Sequence, residues 1–233
     1  LQIKGMFGTY VSPKLVQQLV DDPSLMKLGG DTKPMTFLFV DLVNFTPASE
    51  IYHNRSDPQG LVTLINRLLS ALTDVVLSLD GTVINYMGDC VFALWNAPVD
   101  CDNHEERAVT CAAMMLVALE HLNEELEREG IPKLGLGVGI NTGSDAVIGN
   151  TGGAKRFIFS PLGDSVNVAA RLESSSRKYE QDVLIGETTA RAVPDMVEYL
   201  DTIEVKGKSE KLSVYTLSED AIHAAHLADY WTS

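Results

Sequence analysis

The chain has 233 residues, 45% of them hydrophobic, with 9 Pro and 18 Gly spread along its length, which is the composition of an ordinary globular protein. Lys and Arg number 18 against 32 Asp and Glu, and the formal net charge of -14 argues against nucleic-acid binding because it repels a phosphate backbone. The three cysteines form no Cys-x-x-Cys pair, which favours a reducing compartment over a disulfide scaffold.

The chain begins "LQIKGMFGTY", without an initiator Met or the pattern of a signal peptide. No apolar stretch reaches the roughly 18 residues that a membrane helix needs. We therefore expect a soluble fragment of a longer protein.

Residues 12–23 predict a short helix, with Ser12 as its N-cap and Pro13 at its first helical position.

Apolar periodicity and turn residues predict the remaining elements. In chain order they predict a strand over residues 35–43, an amphipathic helix over 58–79, two strands joined around Gly88-Asp89, a helix over 103–129, strands over 133–143, 146–150 and 155–160, a helix over 162–176, a strand over 182–186, a helix over 187–193, strands over 197–205 and 211–217, and a terminal helix. Helices and strands alternate without segregating, and two strand pairs are hairpins. We therefore predict an α+β fold, with a mixed or antiparallel sheet and helices on one face.

The segment "TGGA", residues 151–154, predicts a flexible connection between two strands. The overlapping "GGAK" lacks the Gly-Lys-Ser/Thr ending of a P-loop and precedes a strand, so we interpret it as a hairpin loop. The sequence has no internal repeat, low-complexity tract or Pro/Ser-rich linker, which favours a single domain.

Two aspartates interrupt apolar strands. Asp41 lies within "FLFVDLVNFT" and Asp89 between "INYMG" and "CVFALW". Each has a simpler interpretation: Asp41 as a cap of the turn around Asn44 and Thr46, and Asp89 as a hairpin turn residue. If the strands are neighbours, however, both carboxylates reach one edge of the sheet and need a cation. Hard oxygen ligands select Mg²⁺ or Mn²⁺, the ions of two-metal phosphoryl chemistry.

A cationic side chain stands out in the helix over residues 162–176. Arg171 has no acidic residue three or four positions away, because those positions hold Asn, Val and two Ser residues. An ion pair within the helix is therefore excluded, and either a distant carboxylate or a phosphate is its expected partner. Asn167, four residues earlier, shares its face of the helix.

Four segments, in this order and at these separations, resemble the catalytic domain of class III nucleotidyl cyclases, the adenylyl and guanylyl cyclases: "FLFVDLVNFT", "INYMGDCVFALW", "FSPLGDSVNVAARLES" and "VKGKSEKLSVY". The resemblance implies a ferredoxin-like βαββαβ core and a catalytic domain over residues 30–217. Residues 1–29 would form a lead-in with a helix, and residues 218–233 a C-terminal helix or tail. "FGTYVSP" resembles the lead-in of bacterial cyclases whose catalytic domain follows a membrane or sensor region, which would be missing here.

The same resemblance implies a metal site with two divalent cations, Mg²⁺ or Mn²⁺. Asp41 and Asp89 match the two metal-binding aspartates of the family, and the carbonyl oxygen of Leu42 matches an additional ligand. These assignments agree with the metal interpretation of the two aspartates and add the backbone ligand to it.

Three further residues match family positions that contact the nucleotide. Asn167 matches the asparagine that orients the ribose, Arg171 the arginine that stabilises the transition state on the α-phosphate, and Lys206 the lysine that binds the terminal phosphates. Without the resemblance, Lys206 would be interpreted as a solvated lysine in a turn. In the family these three residues come from the second subunit, which implies a homodimer with shared sites.

The positions that recognise the base depart from the family pattern. Adenylyl cyclases usually have a lysine four residues before the second metal aspartate, where this chain has Asn85. Seven residues before the catalytic asparagine they often have Asp or Thr, and guanylyl cyclases have Cys, whereas this chain has Ser160. An amide and a hydroxyl can each donate or accept, so discrimination between ATP and GTP is expected to be loose.

The resemblance therefore implies an adenylate cyclase that converts ATP to cyclic AMP and pyrophosphate. The alternatives are a guanylate cyclase acting on GTP and an inactive module for nucleotide sensing or dimerisation. We expect a cytoplasmic location, either for a free domain or for the cytoplasmic domain of a membrane-tethered receptor.

Overall fold

The computed structural model describes residues 20–21, 31–153, 156–204 and 211–228. The strands in these ranges are β1 Asp31–Thr32, β2 Met35–Val43, β3 Thr82–Met87, β4 Cys90–Trp95, β5 Gly135–Gly143, β6 Val147–Gly153, β7 Arg156–Leu162, β8 Val183–Gly186, β9 Val197–Glu204 and β10 Lys211–Leu217. The α-helices are α1 Phe45–Asn54, α2 Pro58–Ser78, α3 His104–Arg128, α4 Asp164–Ser175, α5 Glu187–Ala192 and α6 Glu219–Leu227. Short 3-10 helices cover Ser176–Tyr179 and Pro194–Met196.

The central sheet has seven strands in the order β3-β4-β2-β5-β8-β10-β9. All neighbouring strands are antiparallel except β5 and β8, which are parallel. The segment β2-α2-β3-β4-α3-β5 is a βαββαβ unit, and its four strands lie in the order expected of a ferredoxin-like fold. The predicted α+β class and the mainly antiparallel sheet are therefore confirmed. A second sheet contains β1, β6 and β7.

Strand β2 is buried on both of its faces, which determines where the helices lie. Leu38 and Val40 belong to a large apolar cluster that includes residues of α2 and α3. Phe37 and Phe39 point to the opposite face and share a second cluster with Val166 of α4. The expectation of helices on one face is therefore wrong, because a strand that is apolar at successive positions needs cover on both sides.

Helix α2 is strongly apolar. An 18-residue window of this 21-residue helix has a mean hydropathy of 1.5, which meets the length and composition expected of a membrane span, contrary to the sequence expectation. Leu64, Leu68 and Leu72 on one side of the helix are buried in the large cluster. With Val75, which is also buried, they recur at steps of four and three residues, the spacing of an amphipathic helix packed on a protein core.

Three local predictions have different outcomes. Helix α1 was not predicted, although Pro47 stands in its first turn, where proline is tolerated. The flexible connection over residues 151–154 is wrong for residues 151–153, which continue β6 in register with β7. Of the helix predicted over residues 12–23, Val20 and Asp21 are described and helical, and the rest lies outside the described residues.

Candidate active site

Asp41 and Asp89 lie at the same end of two adjacent strands. Asp41 is near the end of β2, and Asp89 is in the two-residue turn between β3 and β4, where Met87 pairs with Cys90. Val40 of β2 pairs with Val91 of β4, so the hairpin turn is beside Asp41. The predicted convergence of the two aspartates is therefore present in the structure, and Asp89 is also the turn residue of its hairpin.

The carboxyl groups of Asp41 and Asp89 interact directly. The pKa of Asp41 is raised above its usual range, first by burial and then by the negative charge of Asp89, to which it is also hydrogen-bonded. The backbone N–H of Leu42, which donates to the Asp41 carboxylate, and the charge of Arg177 act in the opposite direction on this pKa. Within the described part of the chain, no hydrogen bond joins Asp41 to the amides of Asn44 or Thr46, so the capping interpretation has no support.

Two side chains that the sequence analysis did not single out complete this cluster. The guanidinium of Arg177, in the 3-10 helix after α4, lies with Nη2 3.3 Å from Oδ2 of Asp41. Glu173 of α4 is half-buried, and its pKa is raised to about 7 by burial, by the charge of Asp41 and, less strongly, by that of Asp89, while the charge of Arg177 lowers it. We define Asp41, Asp89 and Glu173 as the acidic cluster, and Arg177 is the cation that pairs with it.

Glycines of β5 allow α4 to bring Glu173 to this position. Gly137 pairs with Asp41 in the sheet, and a Cβ atom at Gly137 would lie 3.5 Å from Oε1 of Glu173. A Cβ atom at Gly139 would lie only 2.2 Å from the carbonyl oxygen of Ala169 and from the backbone nitrogen of Glu173. The helix backbone therefore packs directly on β5, which no side chain larger than hydrogen would permit.

The donor chemistry at this end of the sheet fits a hard divalent cation. Asp41 and Asp89 provide carboxylate oxygens, and the Leu42 backbone carbonyl is adjacent in sequence. Among the described residues, no group of three or more His, Cys, Asp or Glu side chains could hold a metal ion. Two carboxylates with open positions are typical of Mg²⁺ sites, in which waters and substrate phosphates supply the other ligands.

Asn167 and Arg171 face away from the acidic cluster of their own chain. Both are exposed, whereas Ala169 and Leu172 of the same helix are buried. At 3.6 residues per turn, Arg171 is about 200° and Asn167 about 240° around the helix from Glu173. No described residue forms an ion pair or hydrogen bond with the Arg171 guanidinium, so a distant carboxylate partner for it has no support here.

The remaining predicted residues are only partly described. Asn85 is exposed on β3, which is an edge strand of the central sheet. The backbone of Ser160 pairs with Gly149 in the other sheet. Lys206 lies outside the described residues. The structure therefore brings together Asp41, Leu42 and Asp89 but does not join them to Asn85, Asn167 or Arg171.

Glu173 and Arg177 could have been found from the sequence by one signal. Ala169, Leu172 and Ser176 form the buried side of α4 and the turn after it, and a helical projection puts Glu173 on that side. An acidic residue on a buried stripe needs a partner, and Arg177 is four residues further on. The sequence could not show that both residues are close to Asp41, 132 or more positions away.

This fold is that of a nucleotidyl cyclase catalytic domain. Residues 30–219 match the family model described as "Adenylate and Guanylate cyclase catalytic domain". The chain therefore belongs to the class III adenylate and guanylate cyclase family.

Among its relatives, the chain is 35% identical over 211 residues to Adenylate cyclase 1 of Rhizobium meliloti, covering 90% of this chain and 31% of that protein. It is 30% identical over 193 residues to an adenylate cyclase of Anabaena cylindrica, covering 79% of this chain and 36% of that protein. The chain thus spans about a third of the length of these relatives.

Solved structures of both kinds of cyclase resemble this one. The adenylyl cyclase CyaB from P. aeruginosa has a TM-score of 0.74 and 29% identity, over 82% of this chain and 97% of that chain. The guanylyl cyclase Cya2 has a TM-score of 0.71 and 32% identity, over 82% of this chain and 96% of that chain. Because this chain resembles both kinds of cyclase, these structures do not distinguish between ATP and GTP as its substrate.

Proposed function

We propose that this domain is an adenylate cyclase that converts ATP to cyclic AMP and pyrophosphate in a homodimer with shared active sites. The observation that carries the proposal is the geometry of one chain, in which Asp41 and Asp89 converge at one end of the sheet while Asn167 and Arg171 face away from them. Each chain then contributes one half of each of two sites.

Asp41, Asp89 and the carbonyl oxygen of Leu42 would hold two divalent cations, Mg²⁺ or Mn²⁺. When bound, such ions lower the pKa of the attacking hydroxyl group and neutralise charge on the phosphates. The protein residues hold the triphosphate so that the 3′ oxygen of the ribose is in line with the α-phosphorus and pyrophosphate can leave. Positioning of this kind supplies much of the acceleration in an intramolecular displacement.

Arg171 and Asn167 would act on the nucleotide bound to the acidic cluster of the partner chain. The Arg171 guanidinium is free of protein partners among the described residues, so it can donate to oxygens of the α-phosphate as negative charge develops there. Asn167, four residues earlier on the same face, would hydrogen-bond the ribose and fix its 3′ oxygen. We assign Lys206 to the terminal phosphates.

An apolar patch on the second sheet supports the dimer. Val147 and Leu162 are register partners on β6 and β7, and their side chains are 42% and 60% exposed. Met87, at the tip of the β3-β4 hairpin near Asp89, is 48% exposed. Leu162 comes two residues before α4, which carries Asn167 and Arg171, and Met87 is near Asp89, so we expect these exposed apolar side chains to be covered when a second copy binds.

The choice of ATP rests on the relatives and on the chemistry of the base-reading positions. The relatives from Rhizobium meliloti and Anabaena cylindrica are named adenylate cyclases. Asn85 and Ser160 can each donate or accept a hydrogen bond, which is compatible with the Watson–Crick edge of either purine. Guanylate cyclase activity is therefore the second candidate, and the likeness to Cya2 favours it.

The cysteines of the described residues are compatible with the proposed cytoplasmic location. Cys90, Cys101 and Cys111 are all free thiols, and Cys111 is buried. Burial raises the pKa of the Cys90 thiol to about 12, so this residue beside Asp89 is inert at neutral pH and takes no part in the proposed chemistry.

Product formation from ATP and GTP, measured separately over a protein dilution series with Mg²⁺ or Mn²⁺, tests the proposal. We expect more cyclic AMP than cyclic GMP, and a specific activity that falls on dilution as the dimer dissociates. Asp41→Asn should lower kcat by about two to three orders of magnitude, whereas Asp102→Asn, at an exposed aspartate outside the acidic cluster, should retain wild-type activity. Preferential formation of cyclic GMP would refute the choice of base, and full activity of Asp41→Asn would refute the site.

A further inference from the structure

The ion pair between Arg177 and Asp41 has no role in the chemistry described above. Oδ2 of Asp41 accepts a hydrogen bond from Nη2 of Arg177 at 3.3 Å. Arg177 is 58% exposed, whereas Asp41 is 24% exposed. The guanidinium therefore covers a carboxylate oxygen that the proposed metal site requires, and its own side chain is free to move into solvent.

Arg177 acts on more than one carboxylate of the acidic cluster. Its charge lowers the pKa of both Asp41 and Glu173, although burial and the neighbouring carboxylates outweigh it in each case. Asp41, Asp89 and Glu173 thus place three acidic groups together, with Arg177 as the cation that acts on two of them. In the absence of a divalent ion, a cation at this position reduces the electrostatic repulsion among the three carboxylates.

We propose that Arg177 is a resident counter-ion of the acidic cluster, which occupies Asp41 in the metal-free protein and must leave it when a divalent cation binds. This inference rests on the proposed metal site. Because the guanidinium and the metal compete for one carboxylate and repel each other, Arg177 weakens metal binding while it stabilises the metal-free protein. It is a positioning residue that sets the metal concentration at which the site fills.

The neighbouring residue provides a charge-matched control. Lys178 carries the same charge one position further along, but its Nζ lies 5.4 Å from the centre of the Tyr179 ring. Changing it to Gln removes one positive charge from the same 3-10 helix and leaves the Asp41 pair intact. A general effect of net charge would appear in both variants, and an effect of the ion pair only in Arg177→Gln.

The test is a Mn²⁺ titration of the nucleotide-free protein, followed by electron paramagnetic resonance, with thermal unfolding of each protein measured in EDTA. We expect Arg177→Gln to bind Mn²⁺ about two- to fivefold more tightly than wild type, the range that an exposed ion pair provides. Its unfolding temperature in EDTA should be lower than that of wild type. Lys178→Gln should match wild type in both measurements, and Arg177→Lys should restore the wild-type affinity.

Equal or weaker Mn²⁺ binding by Arg177→Gln would overturn the inference, because a residue that only anchors the 3-10 helix to β2 would not oppose the metal. Asp41→Asn separates this failure from failure of the proposed function. If wild type and Asp41→Asn bind Mn²⁺ equally, no metal site depends on Asp41 and both proposals are wrong. If Asp41→Asn binds Mn²⁺ more weakly than wild type but the Arg177 variants bind it like wild type, the metal site is supported and the counter-ion role of Arg177 is wrong.

Discussion

Arg171 and Glu173 are two residues apart on α4 and point in opposite directions. Glu173 is half-buried against β5 in the acidic cluster, while Arg171 is exposed, without an ion-pair partner among the described residues. A rigid helix cannot turn both side chains toward one metal site. In the homodimer that we propose, one helix would therefore belong to two sites, its own through Glu173 and that of a second copy through Arg171.

This division predicts complementation between inactive variants. Asp41→Asn and Arg171→Ala should each lose about two to three orders of magnitude in kcat, as expected for loss of a charged group in the transition state. In a mixture of the two, each heterodimer has one site with both defects and one intact site. Random exchange should then restore about a quarter of wild-type activity, because half of the dimers carry one intact site of two.

A second mixture provides the control for complementation. Asp41→Asn and Asp89→Asn alter the same half-site, so a heterodimer of these variants has one defect in each of its sites. We expect no recovery from that mixture. Recovery in the control, or none with Arg171→Ala, would contradict a site shared between chains.

The sequence predicted the elements of this fold well because most of its signals are local. Apolar spacing of three and four residues marked α2, and the Gly88-Asp89 turn marked the β3-β4 hairpin. The proximity of Asp41 and Asp89 could be predicted because each lies at the end of an apolar strand or in the turn that joins two such strands. Strand neighbours in a sheet bring such residues together even when they are far apart in sequence.

Other features depend on tertiary placement and could not be predicted. The cover on both faces of β2 follows from where α4 packs, and that depends on the close approach at Gly139. The contact of Arg177 with Asp41 joins residues 136 positions apart. Helix α1 begins at a left-handed Asn44 with no side-chain cap, so the usual start signal is absent. The roles assigned to the site residues, including Ser160 and Lys206, remain predictions.

Glu173 predicts a distinct dependence of stability on pH. Its pKa in the folded protein, about 7, is above the ordinary value of 4.5, so the folded chain holds a proton that the unfolded chain releases between these values. The contribution of Glu173 to stability is therefore complete below pH 4.5 and is lost as the pH rises through about 7. Glu173→Gln should remove this loss.

Urea unfolding of wild type and Glu173→Gln from pH 4.5 to 8, in EDTA so that no metal binds, measures this effect. We expect the variant to gain stability relative to wild type as the pH rises through this range. Glu50→Gln, at an exposed position of α1, should follow wild type throughout. Parallel curves for Glu173→Gln and wild type would mean that the carboxylate is not held in a buried environment.

Packing of α4 on β5 predicts a strong effect of one added methyl group. A Cβ atom at Gly139 would lie 2.2 Å from backbone atoms of Ala169 and Glu173, so Gly139→Ala must push the helix away from the sheet. We expect a loss of about 1–3 kcal/mol in the free energy of unfolding, the usual range for overpacking. Activity should fall as well, because the same helix carries Arg171.

Gly135 offers a matched comparison on the same strand. A Cβ atom there would have Val43 Cβ as its nearest neighbour, at 3.3 Å, which a small shift can relieve. Chemical denaturation should show Gly135→Ala closer to wild type than Gly139→Ala. If the two variants had the same unfolding midpoint, direct backbone packing of α4 would not determine stability here.

Base selection should respond to a change at Asn85. A lysine only donates hydrogen bonds, which suits the N1 acceptor of adenine and opposes the N1–H donor of guanine, whereas the Asn85 amide can serve both. Asn85 is exposed on an edge strand, so its replacement by Lys should leave the fold intact. We expect Asn85→Lys to raise the ratio of kcat/KM for ATP to that for GTP about tenfold, the worth of one hydrogen bond.

Met87→Lys separates recognition of the base from a general effect of charge. Met87 is exposed on the same side of β3, two residues closer to Asp89, so its replacement adds the same charge to the same strand. It should change both KM values in parallel and leave their ratio unaltered, because a charge beside the phosphates attracts both nucleotides alike. If both variants changed the ratio of kcat/KM for ATP to that for GTP equally, the effect would be one of charge alone. If Asn85→Lys left this ratio unaltered, Asn85 would not be part of the base-binding site.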